Sequence, residues 1–216
     1  MSSQQQRIER AVLAGAARWQ ETWVLVGAPL PAGGFEELRK RYGEPHRAYH
    51  NLEHVLACLE AAASVRSELR SPATVELALW YHDAIYDPRR SDNEEESARF
   101  AAEQLHSTLA PDALASVRGL ILATKHAGAP IGGDDARYVV DVDLAILGAA
   151  PEAFDAYEDA IRHEYRWVPA PIFRRKRREV LTGFLERPRI YSTEHFRELL
   201  EAAARLNLSR SIARLS

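Results

Sequence analysis

Helical patterning runs through almost the whole chain, and no other feature restricts its fold as strongly. Runs rich in Ala, Leu, Glu and Arg succeed one another, while the alternation of β-branched and polar residues that marks a strand is nearly absent. Punctuation residues divide the pattern. A first helix is expected over about residues 4–26, closed by Gly27 and Pro29, and a short one carries "FEELRKRY" and stops near Gly43 and Pro45. The next is expected from about His50 to Leu69. Ser71 reads as an N-cap with Pro72 at the first helical position, opening a helix to about Ile85. Asp92 caps a further helix whose acidic first turn suits the positive end of its dipole. Pro111-Asp112 opens one through His126, "AGAPIGGDD" reads as a loop, and another helix covers about Asp135 to Leu147. Pro151, Pro171 and Ser192 each precede a helical stretch. No repeat or long linker interrupts the series. The expected fold is all-α, one domain over 1–216 with about nine or ten helices.

With 46% hydrophobic residues and 27% charged ones, a chain of 216 residues can bury a substantial core. The formal net charge of −3 provides no general field for nucleic acid. "RRKRR" at 174–178 is the one basic cluster, and five consecutive helical residues splay around the axis instead of forming one face. No window approaches 18 uninterrupted apolar residues, so no membrane span is expected. The polar N-terminus lacks the apolar core of a signal peptide, and the single cysteine, Cys58, excludes an internal disulfide. A cytoplasmic location follows as the expectation.

The chemistry concentrates in a few polar residues set in apolar runs. "YHNLEHV" places His50 and His54 four residues apart, one turn along a helix face. On spacing alone, a partly exposed histidine pair is the commoner explanation. "WYHDAIYD" then adds His82 and Asp83, with Ala78, Leu79 and Ile85 flanking His82 on the helical wheel. Buried polar groups without partners cost roughly 2 kcal/mol or more each, so this concentration calls for a partner. A further acid is available in "YVVDVDLAILG". The helical neighbours of Asp143 are Val139, Val140, Ile146 and Leu147, all apolar, whereas Asp141 neighbours Arg137, Tyr138, Leu144 and Ala145. Asp143 is therefore the expected inward acid. Two His and two Asp form a mixed N/O set suited to Mn²⁺, Fe²⁺, Mg²⁺, Co²⁺ or Zn²⁺.

The order His, then His-Asp, then Asp on separate helices resembles the HD superfamily of metal-dependent phosphohydrolases. That resemblance implies an HD-type helical bundle whose metal ligands are His54, His82, Asp83 and Asp143, with Asp83 also serving catalysis. "YHNLEH" is further similar to the first motif of the cyclic-nucleotide phosphodiesterases in that superfamily, which implies His50 as general acid and His54 as ligand. "YHNLEHV", "YHDAIYDP", "DNEEESA", "DVDLAILG" and "RPRIY" together resemble small bacterial HD proteins described as predicted metal-dependent phosphohydrolases, over about residues 40–208. The implied activity is hydrolysis of a small phosphate ester, a nucleotide or related metabolite, as a phosphomonoesterase or phosphodiesterase.

Four more residues are candidates for the substrate: Arg47, Asn93, Glu94 and His126. Each has a plainer explanation, since Asn93 and Glu94 sit where a helix is capped and His126 sits at a helix end. Two rival readings remain beside the hydrolase: a metal- or nucleotide-binding regulatory module without turnover, and a helical scaffold whose polar residues satisfy one another. The sequence leaves open the substrate, the native metal, the number of ions and any homo-oligomer.

Overall fold

The computed structural model describes residues 3–125 and 133–215. Among them lie ten α-helices, short 3-10 turns at Arg66–Glu68 and Leu144–Gly148, and no β-strand. The helices are α1 (Ser3–Val26), α2 (Gly34–Tyr42), α3 (Leu52–Ser64), α4 (Pro72–Tyr81), α5 (Asn93–Leu105), α6 (Pro111–Ala123), α7 (Gly133–Asp143), α8 (Pro151–Glu164), α9 (Ala170–Leu185) and α10 (Glu194–Arg214). The all-α expectation is met. The chain divides into two compact units, Met1–Val140 and Asp141–Ser216, with the division inside α7.

In the first unit, α4 is the central element and packs against α1, α3, α5 and α6. Residues Val75 through Tyr81 are buried without interruption, so this helix has no solvent face. Trp19 of α1 anchors the aromatic core, edge-on to Trp80 at 5.2 Å and to Trp23 at 5.5 Å. Helix α1 stops at Gly27, whose φ of +70° is the left-handed conformation that terminates helices at low cost for glycine.

The all-round burial of α4 includes a charge. Glu76 is 2% exposed, and its carboxylate forms an ion pair with Arg18 at 2.7 Å and accepts from Arg66 at 2.8 Å and the Thr22 hydroxyl at 2.8 Å. Thr22 in turn accepts from the Trp80 indole N–H at 3.0 Å.

In the second unit, α10 packs against α9 and against the 144–148 turn. Asn207 donates to the carbonyls of Leu147 and Ala149, and the Tyr191 hydroxyl donates to that of Leu144. A Cβ at Gly148 would stand 2.6 Å from Leu200 Cβ, so only glycine permits this approach.

Several boundaries differ from the sequence expectation. Helix α3 begins at Leu52 instead of His50, because the Asn51 side chain caps it, accepting from the N–H groups of Glu53 (2.9 Å) and His54 (3.3 Å). Helix α4 ends at Tyr81, four residues short of Ile85, and α6 ends at Ala123. No helix among the described residues is long and apolar enough to cross a membrane. The 174–178 cluster splays as expected: Arg177 turns inward to Glu158 and the Tyr157 hydroxyl, while Arg174, Arg175, Lys176 and Arg178 are exposed.

Removing one partner of a buried ion pair leaves the other charge uncompensated, which costs roughly 3–5 kcal/mol. Glu76→Ala should therefore lose about that much in urea unfolding. Glu36→Ala, which breaks a solvent-exposed pair with Arg39, should leave the midpoint essentially unchanged.

Candidate metal centre

Two helix ends in the first unit build the site. The Asn51 cap fixes where α3 starts, which places His54 in its first turn with only 6% of its surface exposed. At the other end, His82 is the residue that closes α4 (φ −58°, ψ −37°) and is 1% exposed. Asp83 follows directly.

Three atoms converge there. His54 Nε2 and His82 Nε2 are 3.1 Å apart, and Asp83 Oδ2 is 3.1 Å from the His82 nitrogen and 3.5 Å from the His54 nitrogen. The protonation of His82 follows from its other contact. Its Nδ1 lies 2.8 Å from the Leu79 carbonyl, which can only accept, so Nδ1 carries the hydrogen and Nε2 is the nitrogen turned toward His54 and Asp83.

The Asp83 carboxyl is held well below the ordinary carboxylate range. Burial pushes it up, but the charges of His82 and His50, with hydrogen bonds from His54 and His82, outweigh burial. It is therefore an acceptor. With both imidazoles neutral, the state in which they bind a metal, one proton on His54 Nε2 can serve His82 or Asp83, not both.

A divalent cation satisfies all three. Ligands at about 2.1 Å from an ion stand about 3.0 Å apart in octahedral geometry and about 3.4 Å apart in tetrahedral geometry, from the bond lengths of such sites. The observed separations of 3.1, 3.1 and 3.5 Å leave a point about 2.1 Å from every one of the three atoms. The residues fit a metal. The Leu79 carbonyl is the outer partner that orients His82, as second contacts of metal-bound histidines commonly do.

Cys58, which entered the sequence reading only through its lack of a disulfide partner, also belongs here. It sits one turn after His54 in α3, and its buried Sγ lies 3.7 and 3.8 Å from the two ring nitrogens of His54. His54, Cys58 and His82 each offer a ligand atom within 4.8 Å of the others. The sequence signal was available in the i, i+4 spacing from His54.

His50 is on irregular backbone before the Asn51 cap, so the helix-face argument for the two histidines does not hold. Its ring is nonetheless close, 6.1 Å from that of His54 between centroids, and its charge acts on Asp83.

Of the second-tier candidates, two are committed to backbone. Arg47, expected to reach a phosphate, has a fully buried side chain that donates to the carbonyls of His50 (2.9 Å), Asp83 (2.7 Å) and Ala84 (3.0 Å) and pairs with Glu44. Asn93 donates to the Asp87 carbonyl and accepts from the Asp87 N–H, both at 3.0 Å. Glu94 is half-buried, and burial raises its carboxyl, with the Asp83 charge adding to the rise against its own backbone N–H. His126 lies outside the described residues.

The two downstream acids belong to the second unit. Asp143 is the last residue of α7 and half-buried. Asp141, expected to be the less buried, is fully buried and accepts from the N–H of Ser192 (2.8 Å), the N–H of Thr193 (2.6 Å) and the Thr193 hydroxyl (2.7 Å). The helical wheel ranked these two by neighbours on α7 alone, whereas the donors to Asp141 lie about fifty residues further along the chain.

Compared with known proteins, the chain matches no family model, no curated protein and no solved structure.

The purified protein should hold about one divalent ion per chain by elemental analysis, and Asp83→Ala should lose it, because removing an anionic ligand removes both a bond and the charge that offsets the cation. Equal metal content in the two proteins would rule out the site as built here.

Proposed function

We propose that this protein is a metal-dependent phosphohydrolase acting on a small phosphate ester of nucleotide-like type. The observation that carries this reading is the meeting of His54 Nε2, His82 Nε2 and Asp83 Oδ2 at separations that suit one divalent ion. The HD resemblance adds Asp143 as the fourth ligand. A divalent ion bound there supplies Lewis acidity toward a phosphoryl oxygen and lowers the pKa of bound water toward neutrality.

The chain's own residues have distinct roles in this proposal. His82 is presented in the tautomer a ligand needs, through its bond to Leu79. Asp83 stays ionised to low pH. His50, beside the three ligand atoms but not among them, gives a proton to the leaving oxygen. A mixed N/O set without an obligatory thiolate accommodates Mn²⁺, Fe²⁺, Mg²⁺, Co²⁺ or Zn²⁺.

A phosphate-release screen over nucleotides, cyclic nucleotides and sugar phosphates, run with each of these ions, should find metal-dependent turnover. Metal held tightly with no turnover anywhere in the screen would favour the regulatory-module alternative. Within the active set, His50→Ala should keep its metal and lose about 10²- to 10⁴-fold in kcat, the range of general acid catalysis. His54→Ala should lose metal and activity together.

Asn substitutions separate the two acids on α7. Asp143→Asn should lose the metal. Asp141→Asn should keep it and unfold more easily instead, since a neutral amide accepts the three Ser192 and Thr193 donors less strongly than a carboxylate does. The opposite pattern would make Asp141 the ligand.

A further inference from the structure

His50 poses a positional problem for any proton-transfer role. It precedes the Asn51 cap, so no helical hydrogen bond fixes its backbone, and its side chain is only half-buried. Proton transfer needs a donor held within hydrogen-bond reach of the leaving oxygen. The rings packed against His50 contribute to holding it.

The Tyr86 ring lies against it. The two ring centroids are 4.0 Å apart with 24° between their planes, a stacked pair, while Tyr49 meets His50 edge-on at 5.1 Å. Tyr86 is itself on irregular backbone after Asp83, yet that backbone is fastened at three successive residues. Ser97 of α5 accepts from the Ile85 N–H at 3.0 Å and donates to the Ile85 carbonyl at 3.2 Å. His46 Nε2 donates to the Tyr86 carbonyl at 2.7 Å. Asn93 of α5 brackets Asp87 with two bonds. Arg47 closes the circuit by tying the His50 carbonyl to those of Asp83 and Ala84 with a single guanidinium. The ring of Tyr86 is thus a platform whose backbone is anchored to α5, and His50 rests on it.

We infer that Tyr86 is a positioning residue, whose stacked ring sets the orientation of His50 toward the leaving group. The inference rests on the acid role proposed for His50. Its requirement is the aromatic face, not the phenol hydroxyl, because stacking depends on the ring. Asn93 and Arg47 then act at one remove, holding the backbone on which Tyr86 and His50 stand.

The test uses Tyr86→Phe and Tyr86→Leu in the full chain, with Tyr86→Met should Leu fail to fold, on p-nitrophenyl phosphate and phenyl phosphate. Tyr86→Phe should match wild type on both esters. Tyr86→Leu should lose about 10²-fold more on phenyl phosphate than on p-nitrophenyl phosphate, since an acidic leaving group needs little protonation. Combined with His50→Ala, it should add no further loss. An equal loss on both esters, or failure of Phe to restore the rate, would overturn the inference. NMR of the His50 ring protons provides a readout independent of turnover. Stacking shifts them upfield, so the shift should persist in Tyr86→Phe and vanish in Tyr86→Leu. An unchanged shift in Tyr86→Leu would overturn the positioning role even in an active enzyme. If wild type hydrolyses neither ester, the rate comparison is made on the ester that the phosphate-release screen identifies, and the ring shift decides whether Tyr86 orients His50.

Discussion

Helix α4 has no solvent-facing side, and the candidate site depends on that constraint. Its neighbours α1, α3, α5 and α6 fix its rotation about its own axis, and Glu76 adds polar constraints through Arg18, Arg66 and Thr22. A helix clamped in this way has a fixed end, and its end is His82. The Leu79 carbonyl, one turn back, then orients the imidazole. The Asn51 cap does the same for His54 from the other side. Metal-ligand geometry tolerates little error, and here both histidines are aimed by backbone groups at helix ends.

Three acids show why one place stands out. Glu76 is neutralised by two arginines, and Asp141 is satisfied by two backbone N–H groups and a hydroxyl. Those carboxylates are complete within the protein. Asp83 meets two imidazole nitrogens, groups that bind a metal when the ring is neutral. Buried charge alone would not have distinguished these sites; the meeting of a carboxylate with two imidazoles does.

The sequence singled out His54, His82 and Asp83 because polar residues inside apolar runs violate the local pattern, and it indicated an all-α fold because its periodicity is so persistent. What it concealed rests on side chains bonded to particular backbone groups, most of them brought close only by the fold. Asp141 ranked behind Asp143 because the donors that bury it come from Ser192 and Thr193. Arg47 and Asn93 looked available for a substrate, yet they bond backbone carbonyls and an amide that the chain brings past them. His50 and His54 looked like one helix face because the Asn51 side chain, competing for the first turn's N–H groups, is hard to weigh against an uninterrupted helical pattern. Tyr86 gave no signal at all, since aromatic stacking leaves no mark in spacing.

The central claim is that His54, His82 and Asp83 hold a divalent ion together. Anomalous diffraction at the absorption edge of the bound metal, from crystals of the metal-loaded protein, tests it directly. The account predicts a peak about 2.1 Å from each of His54 Nε2, His82 Nε2 and Asp83 Oδ2. A peak elsewhere, with these three atoms still in contact only with one another, would contradict it.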